Sequence, residues 1–140
     1  MTLSTYLTFD GKCGPAFDFY KSVFSGDFAV RSTFADAPPD MNVKDTDRDR
    51  IMHVSLPIGD SVLMGSDTTS EHGGPVTMGN NFSVSFSPKT KEEADRVFGK
   101  LAEGGSVTMK LQNTFWGAYF GMCTDKFGIQ WMVNVDLQGQ

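Results

Sequence analysis

Cysteine, histidine and basic clusters are all scarce in this 140-residue chain, and each scarcity excludes something. The two cysteines, Cys13 and Cys123, lie far apart and form no C-x-x-C pair, so no zinc-ribbon or dithiol motif is present. Both read as free thiols of a reducing compartment. The two histidines, His53 and His72, confine imidazole chemistry to two places. Twelve Lys and Arg against 17 Asp and Glu leave a net charge of −5, with no basic cluster to attract nucleic acid or an anionic membrane. No apolar run approaches the ~18 residues of a membrane span. The N-terminus lacks a basic head followed by an apolar stretch, and the expected location is the cytoplasm. What the chain has is a hydrophobic content of 39% with 12 Phe, 3 Tyr, 2 Trp and 8 Met. Large, soft side chains of this kind build a core or line a cavity, and the length suits one domain spanning 1–140.

Elements follow one another in an order that repeats. A β-rich run from Leu3 to Phe9 ends at Asp10-Gly11. Pro15 to Phe24 predicts a helix, with Phe17, Tyr20 and Phe24 on one stripe and Gly26 just beyond its end. Phe28–Phe34, Ile51–Ile58 and Ser61–Ser66 read as strands, the last two joined by Gly59-Asp60. The stretch 35–50, with Pro38-Pro39 and the charged run Lys44–Arg50, predicts an exposed, mobile loop. A polar, Gly-rich linker then covers 67–79. After it the grammar returns. Asn81–Ser87 is a strand, and Thr90-Lys-Glu-Glu93 opens a helix in capping-box form, closed by Gly104-Gly105. Ser106–Gln112, Gly117–Thr124 and Gln130–Asp136 are strands, with the turn Asp125-Lys-Phe-Gly128 before the last. The expected fold is α+β: two βαβββ modules, about 1–66 and 80–136, paired about a pseudo-twofold into a curved sheet that forms a cleft.

Four stretches carry a resemblance. They are Phe17 to Phe24, Ile58-Gly-Asp-Ser-Val-Leu-Met-Gly-Ser-Asp67, Asn113-Thr-Phe-Trp-Gly117 and Asp125-Lys-Phe-Gly-Ile-Gln-Trp-Met-Val-Asn134. With the element order, they make the chain resemble the vicinal oxygen chelate superfamily of glyoxalases, bleomycin-resistance proteins and extradiol dioxygenases. The resemblance is closer to its PhnB-like branch, which carries the label 3-demethylubiquinone-9 3-methyltransferase. No Gly-rich strand–helix loop with a downstream acidic ribose contact is visible, so the residues do not support the methyltransferase label.

In metal-dependent members of that superfamily each module supplies one ligand near the start of its first strand and one on its last strand. Carried over, those positions fall on Thr5, Met64, Asn81 (or Ser83 if the register slips) and Met132. Neutral oxygens and thioethers hold first-row divalent ions weakly, so no metal and no other cofactor is expected. Alternation along Ile51–Ile58 places His53 and Ser55 on one face and Val54, Leu56 and Ile58 on the other. Two readings of His53 stand: a proton carrier in the cleft, or a satisfied or exposed strand histidine. Gln130, Met132 and Asn134 alternate with Ile129, Trp131 and Val133, which turns the first set toward the cleft as a ligand wall or a packed methionine core. Trp116 and Tyr119 either close over a ligand or plug the space between modules. His72 reads as solvated, Asp125 as a turn former, and Asp67 and Glu71 as linker residues.

Three functions fit these residues. The first is a metal-free protein that binds a small hydrophobic or aromatic ligand through Thr5, His53, Ser55, Met64, Asn81, Ser83, Trp116, Gln130 and Met132. The second is an isomerase, lyase or group-transfer enzyme using His53, and the third is an interaction protein with a filled cleft. The resemblance implies a homodimer as well.

Overall fold

The computed structural model describes residues 1–137. The chain divides into two compact units, Met1–Thr77 and Met78–Gln140.

In the first unit the elements are β1 (Thr5–Phe9), α1 (Cys13–Phe24), β2 (Val30–Thr33), β3 (Ile51–Ile58) and β4 (Ser61–Asp67). The sheet order is β1-β4-β3-β2, with β1 parallel to β4 and the other pairs antiparallel. Alternate residues Leu7, Phe9, Val54, Leu56 and Leu63 are buried, as are Ala16, Phe17, Tyr20 and Val23 on one stripe of α1. Phe17 meets Phe9 and Tyr20 edge-on, with ring centroids 6.5 and 5.4 Å apart. The helix begins at Cys13, two residues before Pro15, which falls in its first turn. Its left-handed residue is Ser25, whose N–H donates to the Lys21 carbonyl, and not Gly26. Gly26 is needed for another reason: a Cβ there would lie 3.2 Å from the Pro57 carbonyl oxygen.

The stretch 35–50 is exposed over most of its length, as read from its composition, and local turns shape it. Short 3-10 turns at Phe34–Asp36, Pro39–Met41 and Asp45–Asp47 punctuate it, and Phe34 and Asp47 are buried. Arg50 fastens its end by donating to Asp10 (2.7 Å) and to the Thr68 carbonyl (2.8 Å), with Asp47 3.4 Å away. The hydrogen bond to Asp10 is the main cause that raises the Arg50 pKa above its ordinary value.

The second unit repeats the topology with β5 (Val84–Phe86), α2 (Lys91–Ala102), β6 (Ser106–Asn113), β7 (Ala118–Thr124) and β8 (Gln130–Asp136), in sheet order β5-β8-β7-β6. Again the first strand runs parallel to the last, and the other pairs are antiparallel. Trp131, Val133, Val135 and Cys123 are buried, as are Ala94, Val97, Phe98 and Leu101 of α2. Thr90 caps α2, its hydroxyl accepting from the Glu93 N–H at 3.2 Å. The strand read as Asn81–Ser87 shrinks to Val84–Phe86. Just ahead of it, the Phe82 carbonyl accepts from the Gln130 side chain (2.7 Å) in place of a backbone ladder partner. Each unit is therefore a βαβββ module, and the fold is α+β.

Candidate functional site

Each module presents one sheet face away from its helix, and the strand register decides which residues share it. In the first module Tyr6 pairs with Met64, Met64 with Ser55, and Ser55 with Val30, a row across all four strands. Thr8 pairs with Ser66 one step along, and Ser32 with His53. None of these positions is charged. His53, Ser55 and Met64 are half-buried, while Tyr6 is 46% exposed. The Tyr6 hydroxyl and His53 Nδ1 are 3.1 Å apart, and the two rings stack with centroids at 5.7 Å and planes 21° apart.

Thr5 does not join this group. It pairs with Leu63 and shares a face with Leu7 and Phe9, which are buried on the α1 side. A shift of one residue in a strand moves a side chain to the opposite face, and it is Tyr6 that lies beside Met64. Tyr6 is the residue that sequence reasoning missed. Counting the alternation back from the apolar pair Leu7 and Phe9 exposes it, because Tyr6 and Thr8 then form the other set.

In the second module Ser85 pairs with Met132, Met132 with Met122, and Met122 with Met109, again spanning four strands. Gln130 pairs with Thr124, and Asn134 with Phe120. Met132 and Gln130 therefore lie on the face expected of them, opposite buried Trp131 and Val133. Asn81 and Ser83 lie ahead of β5 and outside its ladder; Ser85 is the β5 residue beside Met132. Met122 carried no sequence signal, since its neighbours Gly121 and Cys123 give no polar–apolar alternation.

Trp116 is half exposed in the β6–β7 turn, edge-on to Phe115 at 5.0 Å and to Phe120 at 5.8 Å. The turn is held at its base by the Thr114 side chain, which donates to the Ala118 carbonyl (2.9 Å) and accepts its N–H (3.2 Å). Tyr119 is committed elsewhere. Its hydroxyl donates to Asp95 of α2 (2.5 Å), a bond that raises the phenol's pKa, and the Lys91 ammonium lies 4.9 Å from its ring centre.

Two carboxylates do structural work. Asp67 is the last residue of β4, buried, and accepts N–H bonds from Gly11, Cys13 and Ile51; the linker reading missed this. Asp125 accepts from Phe127 and Ile129 N–H through one oxygen and from Trp131 Nε1 through the other (2.8 Å). Glu71 and His72 are exposed, and Glu71 lies 3.8 Å from Lys44. Burial, reinforced by Asp67, pushes the Cys13 thiol far up; burial and then Asp125 push Cys123 up to about 11. Neither is a ready nucleophile.

A resident first-row ion requires three or four imidazole, thiolate or carboxylate donors at one point. Among the described residues no three His, Cys, Asp or Glu side chains come together. The helix-averted faces carry one imidazole, with Nδ1 engaged by Tyr6, beside hydroxyls, amides and thioethers. These residues do not fit such an ion.

Comparison with known proteins agrees with this architecture. The model of the 3-demethylubiquinone-9 3-methyltransferase family matches residues 1–134. The chain belongs to that family. Protein YjdN of Escherichia coli K12 is 32% identical over 96% of this chain and 95% of its own length. The crystal structure of protein PA1353 from Pseudomonas aeruginosa is 40% identical, covers 97% of this chain and 98% of its own, and has a TM-score of 0.86. The PhnB protein from Bacillus cereus is 27% identical over 96% of this chain and 99% of its own, with a TM-score of 0.75. Proteins of the glyoxalase/bleomycin resistance/dioxygenase superfamily share the fold, at 17% and 14% identity with TM-scores of 0.64 and 0.68.

Proposed function

We propose that this family member binds a small, partly apolar molecule on the helix-averted faces of its sheets and holds no resident metal ion there. The observation that carries the reading is the make-up of the two rows Tyr6–Met64–Ser55 and Ser85–Met132–Met122. Half-open aromatic and thioether surface there adjoins a neutral hydroxyl at one end of each row, and the rows hold no charge. Apolar area supplies affinity in such a site, and a few polar groups fix orientation. His53 borders the first of these rows, and Gln130 and Trp116 border the second. A cytoplasmic homodimer is part of the same proposal. Each four-stranded sheet ends on two edge strands, which a second copy would cover.

The test is a thermal-shift screen of aromatic and aliphatic small molecules, with metal content measured on the dialysed protein. A ligand at 100 times its Kd raises stability by about 2.7 kcal/mol, a shift of several degrees. Stabilisation by an aromatic compound, lost in Met64→Asp and Met132→Asp, supports the reading. No stabilisation across the panel, or a stoichiometric ion after dialysis, overturns it. The enzymatic alternative predicts instead a turnover that His53→Ala abolishes.

A further inference from the structure

Tyr6 and His53 are set by the sheet rather than by loops. Tyr6 lies in β1 opposite Met64 of β4, and His53 lies in β3 opposite Ser32 of β2, so the tyrosine reaches across β4 to the imidazole. Their rings lie 21° from parallel, with the hydroxyl 3.1 Å from Nδ1. A phenol holds its proton at neutral pH, and a neutral imidazole has one acceptor nitrogen. Where the hydroxyl donates and Nδ1 accepts, one of the two arrangements the 3.1 Å contact allows, the imidazole proton sits on Nε2. Among the described residues Nε2 has no hydrogen-bond partner. When the ring is protonated, Nδ1 gains a proton and the hydroxyl accepts from it, and Nε2 still carries its own. In that arrangement Nε2 is a donor in both protonation states and not a base, which disfavours proton abstraction by this nitrogen.

The neighbours set the class of molecule that such a donor meets. Tyr6 and Met64 offer aromatic and thioether surface, and Thr8, Ser55 and Ser66 are neutral. No Lys or Arg stands among them to repay the desolvation of an anionic ligand. A neutral acceptor oxygen on a flat apolar body matches both the donor and the surface. We propose that His53 Nε2, held as a hydrogen-bond donor by Tyr6, binds the carbonyl oxygen of an aromatic carbonyl compound lying against Tyr6 and Met64. This rests on the small-molecule-binding reading above and names its ligand class.

Two probes of nearly equal shape isolate the claim: 2-acetylnaphthalene, with a C=O, and 2-isopropenylnaphthalene, with a C=CH2 in its place. Titrated into the full chain, the ketone is expected to bind about tenfold tighter. That ratio should fall to about one in His53→Ala and partly recover in His53→Gln, which restores an N–H donor. Long-range 1H–15N spectra of the unliganded wild-type protein at mildly alkaline pH should show His53 as the Nε2–H tautomer, with a mixture of tautomers in Tyr6→Phe. Both wild-type measurements stand even if a variant fails to fold. An Nδ1–H tautomer, or equal affinity for the two probes, overturns the carbonyl assignment while leaving small-molecule binding intact. Failure of both probes to bind at millimolar concentration overturns this proposal, whereas the binding reading falls only if the wider thermal-shift panel also gives no ligand.

Discussion

Asp67→Ala is expected to destabilise the protein by about 4 kcal/mol, a figure that follows from three contacts. The carboxylate ends β4 at 5% exposure. One oxygen accepts from the Gly11 and Cys13 N–H groups at 2.8 and 2.9 Å, and the other accepts from the Ile51 N–H at 2.8 Å. These bonds join the end of β4 to the turn after β1, the first residue of α1 and the first residue of β3. A hydrogen bond to an ionised acceptor contributes about 1.5–3 kcal/mol, so simple addition gives about 4.5–9 kcal/mol. Gly11 is only half-buried, and water takes over part of that loss, which brings the expectation to the lower end. Asp67→Asn preserves the shape and one acceptor oxygen. With that oxygen on Gly11 and Cys13, its amide N–H2 faces the Ile51 N–H, donor against donor, at a cost of about 2 kcal/mol. Urea unfolding at neutral pH, followed by far-UV circular dichroism, measures both. A loss below about 1 kcal/mol for the alanine variant, the ordinary scale of a point mutation, would refute the latch reasoning.

Three further outcomes follow from the packing. Gly65→Ala places a Cβ 2.8 Å from the Leu7 carbonyl oxygen and 2.7 Å from the Phe17 ring, so about 2 kcal/mol should be lost; an unchanged melting temperature would count against the packing of β4 on α1. Thr90→Ala removes the α2 cap and should cost about 1 kcal/mol in the same denaturant assay, and an unchanged midpoint would show that the cap does not contribute. Cys123, pushed up to about 11 from 9.0, stays protonated in the folded chain while the unfolded chain loses its thiol proton. Its contribution is complete below the unfolded value and is lost as pH rises from about 9 to about 11, so the urea midpoint should fall through that window. Cys123→Ala should flatten the fall; equal slopes in the two proteins would contradict it.

Local patterns settled much of the secondary structure. The strand Ile51–Ile58, the strand Gln130–Asp136 and the helix opened by Thr90 stand where alternation and the capping pattern put them. Each is decided by residues adjacent in the chain. Elsewhere a distant partner intervenes. The Gln130 side chain donates to the Phe82 carbonyl just ahead of the short β5, Arg50 anchors the end of the 35–50 stretch to Asp10 and Thr68, and Gly26 is small because Pro57 passes close to it.

The candidate site divides in the same way. Composition already pointed to neutral, sulfur-rich and aromatic strands with few metal donors, and the alternation around His53 put it beside Ser55 on one face. Register then decided between Thr5 and Tyr6, a difference of one residue and of an entire face. The amino-acid sequence by itself determined the two βαβββ modules and the character of their strands, because helix stripes, caps and alternation act over a few residues. Only the tertiary structure decided that Tyr6 engages His53 and that Asp67 ties three segments together. The Tyr6–His53, Gly11–Asp67 and Cys13–Asp67 contacts join residues more than forty positions apart in the chain, and only the folded sheet brings them within hydrogen-bonding distance.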